Sequence, residues 1–291
     1  MKGIILAGGT GSRLWPMTRI VSKQLLPVHD KPMIYYPLST LLLAGVREVL
    51  IITTPAELNL FKSLLGDGAN LGVRFEYATQ EKPEGLAQAF IIAERFIENS
   101  PCLMILGDNI FHGLGLGHEL ANAFPNYGAH IFTYEVQNPN QYGILTVDSQ
   151  GKPVRIDEKP DHPESNLAVT GLYYFDSDVS RIAKLVKPSK RGELEITSVI
   201  DVYLQRNELT CTKLSRGTAW LDTGTPSSLN DAATYIRVIE ERTGLKIGCI
   251  EEISWRNGWI TDADLLNLAG QLGKSLYGEY LKSLVDSHRK E

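Results

Sequence analysis

The chain has 291 residues, 43% hydrophobic and 22% charged, the proportions of a globular protein large enough to bury its own core. Its net charge of −5 excludes the broad basic surface that nucleic-acid binding needs, so any phosphate it holds must be gripped by a few local cations. Three widely spaced cysteines, Cys102, Cys211 and Cys249, form no CxxC pair and give neither a disulfide framework nor a zinc site.

A reduced, cytoplasmic setting is expected from that cysteine usage. The opening run MKGIILAGG is too short for a signal peptide, and glycines end it at once. Apolar stretches elsewhere are strand-sized, so no membrane span is expected.

In chain order, Gly3 to Leu6 reads as a buried strand and Ile34 to Ala44 as a helix stopped by Gly45. Val49 to Thr53 is a second strand, Ala56 to Leu65 a helix ended by Gly66, and Val73 to Ala78 a third strand. Leu86 to Glu98 has helical periodicity, and Cys102 to Leu106 is a fully apolar strand. Short apolar strands between helices predict a parallel sheet covered on both faces.

The middle changes character. Ile131 to Val136, Gly143 to Val147, Pro153 to Glu158 and Ala168 to Phe175 are strand-like with little helix between them, which predicts mixed or antiparallel additions. Helices follow near Val179 to Leu185 and Ile196 to Gln205. Leu209 to Leu214 and Ala219 to Asp222 are expected to return to the sheet. After Thr225 the pattern is mostly helical, closing with two helices around Gly273. The fold class is therefore α/β, with residues 1–224 as the core and 225–291 as a helical segment packed on it.

The strongest local signal is Leu6-Ala7-Gly8-Gly9-Thr10-Gly11-Ser12-Arg13-Leu14, directly after the first strand. Three glycines let backbone N–H groups approach a phosphate chain, and Arg13 adds a permanent planar cation. Ligands of open parallel sheets bind past the carboxyl ends of the strands, where this loop stands. The loop is not a P-loop, because Gly8 is followed by Gly9 rather than by the GxxxxGK[ST] spacing. It also misses the dinucleotide fingerprint, since Leu14 occupies the place of the third glycine. A nucleotide-sugar oxidoreductase or epimerase is thereby weakened as an alternative. Lys23, in Ser22-Lys23-Gln24, lies close enough in sequence to neutralise a transferring phosphoryl group.

Two aspartates follow short apolar strands: Asp108 in Gly107-Asp108-Asn109, and Asp222 in Trp220-Leu221-Asp222-Thr223-Gly224. Such carboxylates suit a hard cation held against phosphate oxygens, although each could instead cap a helix.

LAGGTGSRLWPMT and SKQLLPVHDKPMIYYPL resemble the sugar-nucleotide pyrophosphorylases, the sugar nucleotidylyltransferases, and most nearly those that use thymidine nucleotides. The resemblance runs over nearly the whole chain through several separated motifs, with Ser12 and Trp15 at positions where variation is expected. It implies a Rossmann-like three-layer α/β/α fold with a mixed, mostly parallel sheet. It implies Mg²⁺ on Asp108 and Asp222, and catalysis by Arg13, Lys23 and Asp108. Nucleotide binding falls to Leu6, Gly8, Gly9, Thr10, Gly11, Ser12, Arg13, Gln24, Gln80, Gly85 and Asp108, with Gln80 and Gly85 reading the base. Sugar-phosphate binding falls to Tyr142, Gly143, Glu158, Lys159, Val169 and Arg191. The implied substrates are dTTP, or alternatively UTP, and glucose 1-phosphate. A homotetramer inhibited by dTDP-rhamnose is implied as well. The joint presence of Arg13, Lys23, Asp108 and Asp222 argues against a non-catalytic regulatory subunit.

Overall fold

The computed structural model describes residues 1–9 and 11–288. Four parallel strands lie at its centre in the order Cys102–Leu106, Lys2–Leu6, Glu48–Thr53, Arg74–Thr79. Their alternate residues point to opposite faces, as a strand's period of two requires. Ile5, Val49, Ile51, Leu103 and Ile105 enter one buried cluster, and Ile4, Leu50, Ile52, Cys102 and Met104 enter the other. Both faces are therefore covered, which is why these strands read as unbroken apolar runs.

Leu167–Phe175 extends this block antiparallel to Cys102–Leu106. It also pairs with Ala129–Glu135, which in turn pairs with Leu209–Lys213. Near its start it changes neighbour, pairing through Leu167 and Ala168 with Gly143–Val147, which carries Pro153–Glu158 outside it. Of the nine strands, only Leu167–Phe175 and Pro153–Glu158 run against the others. The sheet is mixed and mostly parallel, as expected. A register shift between Val169 and Tyr173 interrupts the ladder where the neighbour changes. The sheet forks there, and the fork opens a cleft.

Ala219–Asp222 does not join the main sheet, contrary to the sequence reading. It forms a two-stranded antiparallel ribbon with Asn109–His112, a strand that the pattern had not revealed because it follows Cys102–Leu106 after two turn residues. The ribbon sets Asp222 opposite Asn109. The expected helix over Leu86 to Glu98 is broken into Gln88–Ile92 and Glu94–Ile97.

Helix Pro226–Thr243 begins with Thr225 as its cap, its side chain accepting from the Ser228 N–H, and Pro226 at the first position. Asp222 is thus not a helix cap. Helices Ile250–Arg256, Asp262–Gln271 and Leu276–His288 bury Ile250, Leu265, Leu268, Leu281 and Val285 in the same cluster as Ile5 and Leu103. Among the described residues, no helix is long and apolar enough to cross a membrane.

Candidate active site

Two adjoining cavities lie at the carboxyl ends of the central strands. One, of about 230 Å³, is walled by the glycine loop with Arg13, Lys23 and Gly224. The other, of about 330 Å³, runs along the fork past Tyr142, Glu158 and Trp220. Gly8, Arg13, Gln24 and Asp108 line both, so the loop and the acidic strand end meet in one cleft.

The loop is held from below. Gly9 and Gly11 take φ of 110° and 57°, a region that side chains with a Cβ disfavour. The Gly11 carbonyl accepts from Thr18 Oγ1 at 2.7 Å and from the Leu14 N–H at 2.9 Å. Leu14, fully buried, anchors the short 3₁₀ turn Ser12–Leu14, leaving Ser12 and Arg13 on the cavity side. Thr10 lies outside the described residues.

Lys23 sits on the turn Lys23–Leu25, only 8% exposed, and its Nζ donates to Asp108 Oδ2 at 2.6 Å. A buried ammonium without such a partner would be strongly disfavoured. Asp108 Oδ1 accepts from Asn109 Nδ2 at 2.9 Å, and Asn109 Oδ1 accepts from Trp220 Nε1 at 2.6 Å. This fixes which way the Asn109 amide points, because an indole N–H can only donate. The Asp108 carbonyl accepts from Thr223 Oγ1 at 2.8 Å, tying the second strand of the ribbon to the first. Neither Asn109 nor Trp220 was assigned a role from sequence, although both adjoin the motif aspartates.

Asp222 lines the larger cavity. Burial raises its carboxyl above the usual aspartate range and the neighbouring Asp108 raises it further, while Lys23, Arg13 and the Gly224 N–H pull it back. The two carboxylates therefore repel each other across a space that two cations already face.

The residues expected to bind sugar phosphate are gathered at the far end of the larger cavity: Tyr142, Gly143, Glu158, Lys159, Val169 and Arg191 all line it. Gly143 has no Cβ where one would stand 3.0 Å from Thr197. Glu158 accepts from Thr197 Oγ1 at 3.2 Å and lies 3.8 Å from Lys159 and 3.6 Å from Arg191. Burial raises its carboxyl and Glu195 adds to the effect, with Lys159, Thr197 and Arg191 opposing. Arg191 is bound more closely by Glu195, Nη2 to Oε1 at 2.8 Å, which places its guanidinium but also occupies part of it. Tyr142 leans on Trp220, ring centroids 5.3 Å apart.

Gln80 and Gly85 do not line either cavity. Gln80 lies behind the loop, its Oε1 2.5 Å from where a Cβ on Gly8 would stand. Gly85, at φ 114°, lets the backbone of Leu194 come within 2.4 Å of its absent Cβ, and Leu86 reaches the cleft in its place.

The sequence model of the nucleotidyl transferase family matches residues 2–238. The glucose-1-phosphate thymidylyltransferase of Mycolicibacterium smegmatis is 54% identical over 286 residues, 98% of this chain and 99% of its own. That of Neisseria meningitidis is 51% identical over the same shares. The chain belongs to the nucleotidyl transferase family. A Bacillus anthracis structure described as a glucose-1-phosphate thymidylyltransferase with sucrose superposes with a TM-score of 0.74 at 42% identity, over 81% of this chain and 95% of that one. A UDP-glucose pyrophosphorylase with UDP-glucose, at 24% identity and a TM-score of 0.73 over 82% and 98%, shares the fold.

In this nucleotidyl transferase, Asp108 and Asp222 have the hard oxygen donors that a divalent cation of the magnesium type prefers, and their mutual repulsion is what such an ion would relieve. A second acidic group, His29, Asp30 and Glu240, lies elsewhere. Its charge is already met by Lys31, 3.1 Å from Glu240, and by Lys246, 2.8 Å from Glu240.

Proposed function

We propose that this chain is a glucose-1-phosphate thymidylyltransferase, joining dTTP to α-D-glucose 1-phosphate as dTDP-glucose and releasing pyrophosphate. One observation carries the reading: Arg13 and Asp108 line both halves of one cleft, with glycine-loop backbone at one end and a polar sugar-sized cavity at the other. The near full-length likeness to proteins of that name supports the substrate pair.

The attacking oxygen belongs to a phosphate monoester that is already anionic, so no strong general base is required. It displaces pyrophosphate in line at the α-phosphorus. The task is to bring two anions together, which is one of positioning and electrostatics. In this reading the glycine loop (Gly8, Gly9, Thr10, Gly11, Ser12) and Arg13 cradle the triphosphate, and Lys23 offsets charge on the transferring phosphoryl group. Lys159 and Arg191 receive the sugar phosphate, and Glu158 accepts from sugar hydroxyls. Leu6, Gln24 and Gln80 complete the nucleotide end. Asp108 and Asp222 hold Mg²⁺, which when bound supplies charge neutralisation at the phosphates.

The product would feed dTDP-sugar synthesis, such as that of dTDP-rhamnose for surface polysaccharide. The helical segment from residue 225 would serve assembly into a homotetramer and feedback inhibition by dTDP-rhamnose; exposed Leu245, Leu272 and Leu276 on that segment are compatible with such contacts. The deciding assay is pyrophosphate release from dTTP and glucose 1-phosphate with Mg²⁺. No release with any pairing of nucleoside triphosphate and hexose 1-phosphate refutes the reading. Light scattering, and the assay repeated with dTDP-rhamnose, test assembly and inhibition.

A further inference from the structure

The Gln80 side chain is not free to turn. It follows strand Arg74–Thr79, is 4% exposed, and donates from Nε2 to Gln88 Oε1 at 2.6 Å. Gln88 is gripped in turn by two groups of fixed polarity, both on Glu84. The Glu84 backbone N–H, which only donates, reaches Gln88 Oε1 at 3.2 Å. The Glu84 carboxylate, which when ionised only accepts, takes Gln88 Nε2 at 2.8 Å. An amide's oxygen and nitrogen are told apart by their partners, and here two independent partners agree. Turning Gln88 over would set N–H against N–H and oxygen against carboxylate. With Gln88 fixed, Gln80 must give it Nε2 and keep Oε1 toward Gly8. That oxygen accepts no hydrogen bond among the described residues, although its side chain is almost wholly buried.

We infer that Glu84 and Gln88 form a polarity lock that makes Gln80 an obligate acceptor toward the nucleobase. An acceptor so fixed selects a base whose ring nitrogen carries a hydrogen beside a carbonyl, the edge that among the pyrimidines belongs to thymine and uracil and that the larger guanine shares. It rejects the bare ring nitrogen of cytosine, where two acceptors would face each other with the site's polar group left unpaired. Gln88 and Glu84 line neither cavity and act through Gln80, as positioning residues. The inference rests on the reading of Gln80 as the base-contacting residue.

The test uses dUTP and dCTP, pyrimidines of the same size that differ at that edge. Specificity constants with glucose 1-phosphate are measured beside calorimetric affinities for each triphosphate alone. Gln88→Leu removes the acceptor that holds Gln80, and the dUTP to dCTP preference is expected to fall by roughly 10-fold or more, with dCTP gaining in absolute terms. The exchanged pair Glu84→Gln with Gln88→Glu again presents only an acceptor to Gln80. It is expected to restore the preference to within about 3-fold of the parent. A uniform loss for both triphosphates in Gln88→Leu would mean a merely structural role and overturn the lock. So would an unchanged preference in Gln88→Leu while Gln80→Leu abolishes it. An unchanged preference in Gln80→Leu overturns the base reading itself.

Discussion

Lys23 and Asp108, 85 residues apart in sequence, meet Nζ to Oδ2 at 2.6 Å on the floor of the cleft. Asp108 is at the same time the like charge that raises the Asp222 carboxyl, and Lys23 is among the groups that lower it. One ammonium thus acts on both carboxylates that face the cavities, with Arg13 adding to it at Asp222. Lys23→Ala or Asp108→Ala is expected to cut turnover by roughly 100-fold or more, as loss of a preorganised electrostatic group does. Steady-state rates on purified variants, with circular dichroism to establish folding, check this; near-normal turnover in either variant removes these residues from catalysis.

Asp222 links pH, metal and stability. Its carboxyl is raised above 3.8, so the folded chain holds that proton more tightly than the unfolded chain. Ionisation as pH rises above 3.8 therefore costs stability, a cost absent well below 3.8 and complete once the pH has passed the raised folded value. Asp222→Asn is expected to raise Tm at pH 7, with the gap closing in acid. Mg²⁺ is expected to raise the Tm of the parent but not of this variant. A variant less stable at pH 7, or equally stabilised by Mg²⁺, contradicts the assignment.

The Trp220 indole holds the Asn109 amide, and that amide holds Asp108. Trp220→Phe keeps the ring against Tyr142 and Tyr134 but removes the donor. Turnover is expected to fall by about 10-fold, consistent with misplacement of a group near the chemistry, with Tm lowered by only a few degrees. If kcat is unchanged while KM for glucose 1-phosphate rises, Trp220 acts on the sugar alone.

His130 is buried in the sheet, with Nδ1 on Thr210 Oγ1 at 2.8 Å and Nε2 without a partner among the described residues. Burial depresses its pKa from 6.5 to about 4. The stability this neutral ring carries is fully present above pH 6.5 and is lost as pH falls from there toward 4, up to about 3 kcal/mol. Urea unfolding between pH 7 and 4 should show the loss in the parent and a flatter profile in His130→Leu. Parallel profiles would place the acid sensitivity elsewhere.

Glu240 fastens helix Pro226–Thr243 to the hairpin at Asp30 and Lys31. Its carboxylate takes Lys31 at 3.1 Å, Lys246 at 2.8 Å and the Ile247 N–H at 2.9 Å, and it is 6% exposed. Glu240→Ala leaves Lys31 and Lys246 to share Asp30 and is expected to cost about 2–3 kcal/mol, below the cost of a wholly unpaired buried charge. Denaturant unfolding measures it; a loss under about 1 kcal/mol would mark the group as solvated in practice.

Much was legible from residues alone where the physics is local. Strands Cys102–Leu106, Gly143–Val147 and Pro153–Glu158 and helix Ile196–Gln205 were read to the residue, because turn residues bound each strand and a clear helical period leaves little choice. The glycine loop with Arg13, which lines the smaller cavity, stood out in the sequence because its residues lie in one stretch of chain. What only the tertiary structure decided is longer in range. The ribbon that pairs Asn109–His112 with Ala219–Asp222 has no local signature, since which distant strand completes a ladder depends on the whole sheet's packing. That ribbon, and not the order of motifs, sets Asp222 across from Asn109. The fork at Val169 to Tyr173, which lines the larger cavity, likewise arises from a change of strand partner that composition cannot encode. The orientation of Gln80 needed the geometry of Glu84 and Gln88, for an amide's direction is set by its neighbours in space.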